Sequence, residues 1–308
     1  MTQKKKIGLA LGSGSARGWS HIGVIQSLKE HDIPIDVVCG SSMGAVVGGA
    51  YAAGILTSLE ELAREFSWLD FLKFMDVSLS RRGLLNGNRI TEFFRDKISD
   101  MDIENLLIPY GAVTVELYTG KEIAIRKGPL IDALRASFSF PGLFTPFHKN
   151  NQWFVDGGLI NPVPVSLCRA MGADIVIAVN LNYGILQKRV FMHSSGTNLP
   201  AHDKPVHDKP ADTLMDYLST KFPFLKKMET ADSRSEKTPN MIEVMMKSIY
   251  IMQDRITKQR MVEDPPDISI VPHLSDVSLL DFNKAIDVIE EGRRATLAKL
   301  PAIMKKIS

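Results

Sequence analysis

Two strand-turn-helix units follow one another within the first 53 residues, and this order constrains the fold more than any other feature of the sequence. The apolar run Ile7 to Leu11 ends in a glycine-rich turn, and a helix is predicted from Trp19 to His31. A second apolar run, Ile35 to Cys39, leads through Gly40-Ser41-Ser42-Met43-Gly44 into a small-residue helix from Ala45 to Ala53. Strands that alternate with helices in this way pair in parallel through right-handed crossovers, so an α/β fold is predicted.

The rest of the chain continues this alternation, apart from one segment of different composition. Residues from about 187 to 239 are rich in Pro, Ser, Asp, Lys and Thr, and the sequence His-Asp-Lys-Pro occurs there twice. Such a composition predicts a mobile insertion. The remaining predicted elements are a helix opened by the capping box Ser58 to Glu61, strands Tyr110 to Glu116 and Glu122 to Arg126, a helix Leu130 to Phe138, short strands around Phe144 to Phe147 and Trp153 to Val155, a helix Val163 to Met171, a strand Asp174 to Asn180, a helix Met241 to Arg260, a strand Ile268 to Val271 and a helix from Asp281 to about Leu297.

Composition excludes several classes of protein. The 308 residues carry 37 basic and 35 acidic side chains, and no basic stripe is present, so we expect no nucleic acid partner. The two cysteines, Cys39 and Cys168, form no CxxC pair, which argues against a disulfide scaffold or structural zinc and favours a reducing compartment. The longest apolar run, Gly44 to Leu56, is shorter than the roughly 20 residues that span a bilayer. We therefore expect a cytoplasmic protein without an export signal, whose membrane contact is at most peripheral, at the inner face.

The motif Gly40-Ser41-Ser42-Met43-Gly44 lies between a predicted strand and a predicted helix, as a nucleophile elbow requires. In an elbow, a strained turn presents the serine hydroxyl, and the flanking glycines let strand and helix pack closely. The alternative is a glycine-rich turn in which Ser42 is a helix N-cap. The strand-to-helix context favours Ser42 as a nucleophile.

The turn after the first strand, Gly12-Ser13-Gly14-Ser15-Ala16-Arg17-Gly18, offers free N–H groups at the start of a helix and is suited to an anion. It can hold the pyrophosphate of a dinucleotide or the oxyanion of an acyl-transfer intermediate. A dinucleotide site requires an acidic residue about 20 positions on, where this chain has the serine motif instead. The turn is therefore interpreted as an oxyanion site.

A nucleophilic Ser42 needs a base, and two kinds of residue are candidates. Among the histidines, His273 is the strongest because it follows a predicted strand near the C-terminus, although a surface position would also explain it. His148 precedes a predicted turn. Asp156 precedes Gly157 and Gly158, which permit close approach of the backbone to a neighbouring site, but Asp-Gly-Gly alone is also a common turn. A buried carboxylate of raised basicity could accept the serine proton directly.

The three motifs together, in this order, resemble the patatin-like phospholipase family, and in particular its bacterial members related to the neuropathy target esterase catalytic domain. The resemblance covers roughly residues 5 to 182 and, more weakly, 241 to 300. Further matching segments are His21-Ile22-Gly23-Val24, Ala136-Ser137, Pro141-Gly142, Gly158-Leu159-Ile160-Asn161-Pro162 and Pro164-Val165.

The resemblance implies a single domain over residues 5–308, interrupted by the insertion, with a three-layer α/β/α fold around a mostly parallel sheet. It implies catalysis by a Ser42–Asp156 dyad without histidine, metal or other cofactor, on fatty-acyl esters such as phospholipids or lysophospholipids. The alternatives are an acyltransferase that uses the same acyl-serine and a non-catalytic nucleotide-binding or regulatory module. The implied supporting residues are Gly12, Gly14, Ser15, Arg17 and Gly18 in the oxyanion and substrate-binding loop, Gly40, Met43 and Gly44 in the elbow, and Gly157 and Gly158 in the base loop.

Overall fold

The computed structural model describes residues 5–65, 77–80, 83–85, 88–98, 101–183 and 241–307. The predicted insertion at about 187–239 lies outside these residues. The strands are β1 (Ile7–Leu11), β2 (Val37–Ser41), β3 (Val77–Ser80), β4 (Gly83–Leu85), β5 (Tyr110–Glu116), β6 (Glu122–Ile125), β7 (Phe147–Lys149), β8 (Gln152–Asp156), β9 (Ile175–Val179) and β10 (Ile268–Ile270). The helices are α1 (Ser20–Glu30), α2 (Met43–Ala52), α3 (Leu56–Glu65), α4 (Asn88–Ile98), α5 (Leu130–Ser137), α6 (Val165–Ala170), α7 (Met241–Glu263) and α8 (Ala285–Ile307).

Eight of the strands form one mixed sheet. Its order is β10-β9-β1-β2-β5-β8-β7, and β6 pairs with β5 as well. The five strands from β10 to β5 are mutually parallel, whereas β6, β7 and β8 are antiparallel to their neighbours. The parallel strands β1, β2, β5 and β9 are buried along their whole length, as their apolar composition requires. The prediction of a mostly parallel central sheet is confirmed.

The sheet separates two apolar cores, because successive side chains of a strand point to opposite faces. On β1, Leu9 belongs to the larger core, which α1, α2 and α8 cover. Its neighbour Ala10 belongs to the smaller core, which α6 covers and which contains both cysteines, unpaired and buried. Helices on both faces give the three-layer α/β/α arrangement predicted from the sequence.

The register around β5 brings two distant parts of the chain together. On one edge of β5, β2 runs parallel to it and ends with Ser41 opposite Val113. On the same edge β8 runs antiparallel and ends with Asp156 opposite Thr114, the next residue of β5. The two strands therefore meet end to end, and the residues that follow Ser41 lie beside Asp156.

Two predicted helix boundaries are wrong. Helix α3 begins at Leu56 rather than at the capping box, and Leu59 N–H already donates to the Ile55 carbonyl, so Ser58 lies inside the helix. Helix α8 continues ten residues beyond Leu297 and passes through Pro301, because the completely buried Ile303 holds its last turns against the core. Within the described ranges, no helix combines the length and the apolar character needed to cross a bilayer.

Candidate active site

Ser42 lies at the turn between β2 and α2, in a backbone conformation that is strained for a residue with a side chain. Its φ is 56° and its ψ is −124°, which costs about 1–3 kcal/mol in an ordinary peptide. The N–H of Ser42 donates to the Ser137 hydroxyl over 2.9 Å and helps to hold this conformation. A β-carbon on Gly40 would lie 2.4 Å from the backbone of Ala45, so strand and helix can cross this closely only at a glycine. These features are those of a nucleophile elbow.

The Ser42 hydroxyl donates a hydrogen bond to Asp156, which lies at the end of β8. Its Oγ is 2.6 Å from Asp156 Oδ2, and the other carboxylate oxygen accepts from the N–H of Gly158 over 2.8 Å. Asp156 is completely buried, and this burial raises its pKa from 3.8 to about 7, although the bonds from Ser42 and Gly158 act in the opposite direction. A carboxylate with this pKa is ionised in a large fraction of molecules at neutral pH and is basic enough to accept a proton from a hydroxyl.

The surroundings of Asp156 fix its position in the fold. Its N–H donates to the Ser139 carbonyl over 3.0 Å. The hydroxyl of the buried Thr114 lies 2.8 Å from the Val155 carbonyl and 3.1 Å from the Ala136 carbonyl, within hydrogen-bond distance of both. Gly157 packs so closely on β5 that a β-carbon would lie 2.2 Å from the Val113 carbonyl oxygen. The base loop is therefore held by β5 and by the segment that follows α5.

The glycine-rich loop after β1 is held in place by hydrogen bonds that leave two of its amides unused. Gly12 N–H donates to the Val179 carbonyl over 3.0 Å, and Ser13 N–H donates to the Pro162 carbonyl over 2.8 Å. The Gly12 amide is not available to an oxyanion, which corrects the prediction that it donates there. In the part of the chain that the structure describes, the N–H groups of Gly14 and Ser15 have no hydrogen-bond partner, and both residues border the same cavity as Ser42.

Arg17 and Gly18 join this loop to its neighbours. Arg17 is buried, donates from Nη1 to the Leu181 carbonyl over 3.2 Å and stacks on the Tyr250 ring, with 5.0 Å from Cζ to the ring centre. Gly18 packs against the side chain of Met43, the first residue of α2, where a β-carbon would be 2.2 Å from Met43 Cγ. The amide of Met43 lies in the first turn of α2 and has no partner within the helix.

His21, His148 and His273 do not bond to Ser42. His21 is completely buried, its Nε2 lies 2.7 Å from the Gly12 carbonyl oxygen, and burial lowers its pKa to about 4. The exposed His148 stacks on Trp153 in the β7–β8 hairpin. His273, the alternative base, is exposed, and its backbone N–H donates to Glu291.

An apolar cavity opens beside Ser42. Together with the solvent at its mouth, it contains about 1060 Å³ of space that no protein atom fills. Its few polar groups come from the glycine loop, Ser42, Tyr250 and Gln253. The apolar lining residues are Trp19, Met43, Val46, Leu59, Leu62, Ile90, Phe93, Phe94, Phe138, Phe140, Leu143, Phe144, Leu279 and Phe282. A cavity of this shape and chemistry suits a long hydrocarbon chain whose polar end lies at Ser42.

Sequence reasoning gave no role to several residues that the fold brings to this site. Ser137 and Thr114 support the elbow and the base loop, and Gln253 of α7 lines the cavity from nearly 100 residues beyond Asp156. Of these three residues, only Ser137 belongs to a short segment quoted above for the resemblance, Ala136-Ser137. Within the described residues, no group of three or more His, Cys, Asp or Glu side chains is arranged to hold a metal ion.

Comparison with known proteins identifies a family, related sequences and a structural neighbour. Residues 9–169 match the family described as Patatin-like phospholipase, a range that includes both Ser42 and Asp156. An uncharacterized NTE family protein of Mycobacterium tuberculosis is 31% identical over 96% of this chain and 92% of its own length. Neuropathy target esterase sws of Drosophila melanogaster is 32% identical over 57% of this chain and 13% of its own length. The solved structure of VipD from Legionella pneumophila aligns over 99% of this chain and 80% of its own, with 11% identity and a TM-score of 0.40.

The fold and the site together define a three-layer α/β/α protein with a serine elbow. The chain belongs to the patatin-like phospholipase family.

Proposed function

We propose that the protein is a serine acyl-ester hydrolase that cleaves fatty-acyl esters of lipids, with Ser42 as nucleophile and Asp156 as general base. The observation that carries this proposal is the 2.6 Å hydrogen bond from Ser42 Oγ to the buried Asp156 Oδ2 at the end of an apolar cavity. A serine held in a strained turn and bonded to a base is the arrangement that nucleophilic catalysis requires.

The reaction proceeds through an acyl-serine. Asp156 takes the Ser42 proton while Oγ attacks the ester carbonyl, and the resulting oxyanion lies against the free amides of Gly14 and Ser15, with the Met43 amide as a further donor. The intermediate collapses, the ester C–O bond breaks, and Asp156 returns the proton to the departing alkoxide. Water then attacks the acyl-Ser42 with Asp156 again as base, which releases the fatty acid and restores the Ser42 hydroxyl.

The apolar cavity supports a fatty-acyl substrate. Aromatic and aliphatic side chains from α2, α3, α4 and the segment after α5 surround it, and burial of each methylene of an acyl chain contributes about 0.8 kcal/mol. The large acyl chain would thus bind in the cavity while the alcohol part of the ester lies toward the base loop. Phospholipids and lysophospholipids combine such a chain with a polar alcohol, and we propose them as the substrate class.

We further propose that the protein meets this substrate at a membrane surface as a peripheral protein. Val244, Ile251 and Met252 of α7 are 47%, 50% and 51% exposed, and the same helix contributes Gln253 to the cavity wall. Exposed apolar side chains on a helix that also borders a lipid site can insert into the interfacial region of a bilayer.

The proposal is tested by hydrolysis of a soluble short-chain ester and of lysophospholipid in vesicles, with the released fatty acid measured in each. Ser42→Ala should lower turnover of both by several orders of magnitude. Ser27→Ala is the matched control, since Ser27 is a buried serine of α1 whose hydroxyl has no partner among the described residues and which does not line the cavity. Retention of turnover in a folded Ser42→Ala protein would rule out the acyl-serine. Repetition with an added alcohol distinguishes hydrolysis from acyl transfer to that alcohol.

A further inference from the structure

Gln253 is a buried amide beside the catalytic pair, and none of the steps above uses it. It lies on the inner face of α7, is 3% exposed, and lines the cavity together with Ser13 and Ser42. Its Nε2 lies 2.6 Å from the point where a β-carbon of Gly158 would be, so the carboxamide occupies the space directly beside this glycine. The Gln253 carboxamide therefore packs directly on the base loop.

No hydrogen bond of this carboxamide is found within the described part of the chain, and its polar atoms reach the cavity space, because neither is among the fully buried unpartnered atoms. A glutamine side chain can donate two hydrogen bonds and accept two, and buried polar groups in proteins are nearly always paired. A polar side chain that lines an apolar cavity without a protein partner is available to hydrogen-bond a bound ligand. Since Gln253 faces the cavity, a ligand is the natural partner.

The position of Gln253 indicates which part of the substrate it meets. In the proposed reaction, the acyl chain occupies the apolar cavity and the oxyanion lies at Gly14 and Ser15. The departing oxygen must lie at Asp156 Oδ2, because Asp156 returns the proton to it. The rest of the leaving alcohol then extends over residues 156–158, the loop on which Gln253 packs.

We propose that Gln253 binds a free hydroxyl of the leaving alcohol, on the carbon next to the one that carries the ester oxygen. The site then favours monoacyl esters of polyols such as glycerol over esters of simple alcohols. This inference rests on the proposed function and adds to it a recognition subsite for the alcohol. It makes Gln253 a specificity-determining residue, because the chemistry at Ser42 does not depend on it.

The experiment compares two water-soluble esters that differ by one hydroxyl, 1-hexanoylglycerol and propane-1,3-diol monohexanoate. The wild-type protein should hydrolyse the glycerol ester with a kcat/KM about tenfold or more higher, which is the size of effect expected for one hydrogen bond to a buried amide. Gln253→Leu should lower kcat/KM for the glycerol ester about tenfold and leave that for the propanediol ester within about twofold. Its Tm should stay close to that of the wild type, since the substitution removes no side-chain hydrogen bond of the described residues and keeps the backbone carbonyl that accepts from Thr257.

The matched control is Gln259→Leu, the same substitution at an exposed glutamine on α7 that bonds to Glu263. It should leave the preference for the glycerol ester unchanged. An equal loss on both esters in Gln253→Leu, or no loss on either, would overturn the inference, because neither is expected of a residue that binds the extra hydroxyl. A wild-type protein that hydrolyses neither ester while correctly folded would instead contradict the proposed function itself. The two failures are therefore distinguishable.

Discussion

Asp156 and His21 are both completely buried, yet burial gives them opposite chemical characters. Burial disfavours the charged form of each group, so it raises the pKa of the carboxyl to about 7 and lowers the pKa of the imidazole to about 4. The carboxylate becomes a stronger base than usual and the imidazole a weaker one. His21 also binds the Gly12 carbonyl, so its Nε2 supports the glycine loop and is not directed at Ser42.

This contrast supports the proposal that Asp156, and not His21, is the base for Ser42. A histidine base is effective when its pKa lies near the working pH, and complete burial lowers the pKa of His21 well below that range. Burial has the opposite effect on Asp156, whose pKa it raises to about 7, near the usual pKa of a histidine. The register of β2 and β8 on β5 then places that aspartate within hydrogen-bond distance of Ser42.

The largest expected effect is that of Asp156→Asn. The amide is close in shape to the carboxyl but cannot accept the Ser42 proton, so we expect kcat for a soluble ester to fall by several orders of magnitude. Steady-state hydrolysis and a burst measurement of acyl-enzyme formation would show this. Full activity in Asp156→Asn would assign the base to another residue.

The stability of the same variant shows whether a loss of activity comes from misfolding. Folding raises the pKa of Asp156 from 3.8 to about 7, so the folded protein holds this proton more tightly than the unfolded chain. The contribution of Asp156 to the stability of the wild type is therefore most favourable below pH about 4 and is lost as the pH rises to about 7. Asparagine does not ionise, so Asp156→Asn should be more stable than the wild type at pH 8, by up to about 4 kcal/mol, with the difference shrinking toward pH 4. Urea unfolding at both pH values measures this difference.

A smaller effect is expected at the oxyanion loop. The φ of Gly14 is 174°, which any residue adopts, but a β-carbon there would lie 2.7 Å from Leu181 Cδ1. Gly14→Ala should displace the two free amides and lower kcat about tenfold to a hundredfold. Leu181→Ala in the same chain makes room for the methyl group and should recover part of the loss. An unchanged kcat in the single variant would mean that these amides do not contact the oxyanion.

The smallest effect is expected for His273→Ala. His273 is exposed and contributes only its backbone N–H to a bond with Glu291, which the substitution keeps. We expect kcat/KM to stay within about twofold of the wild type. A large loss of kcat/KM would indicate that His273 acts as a base, and the proposed role of Asp156 would then be wrong.

The parts of the proposed site that depend on local patterns were predictable from the sequence. The elbow at Ser42 and the loop at Asp156 were predictable because each couples a strand to a turn whose residue types are distinctive. The β7–β8 turn at Asn150 and Asn151 was predictable as well, and both residues have a positive φ, as a tight hairpin requires. The hydrogen bond between Ser42 and Asp156 could not be derived from these patterns, since it depends on strand register across 114 positions.

Other features depend on long-range packing and left no local signal. The Gly12 amide was expected to be free, but it donates a hydrogen bond to the carbonyl of Val179, the last residue of β9. The sequence around Gln253 predicts a helix but does not indicate that this polar residue is buried. Its burial is apparent only from the packing of α7 on Gly158. The extension of α8 past Pro301 likewise depends on the tertiary contacts of Ile303 and not on helix propensity.

The pH dependence of Ser42 labelling by a fluorophosphonate tests the central claim most directly, because the reagent reports the nucleophile and its base in one step. The labelling rate of the wild-type protein should rise about tenfold per pH unit below pH about 7 and level off above it, as Asp156 ionises. Peptide mapping should find the label on Ser42. A rate that does not change between pH 5 and 9, or a label on another residue, would contradict an Asp156-activated Ser42.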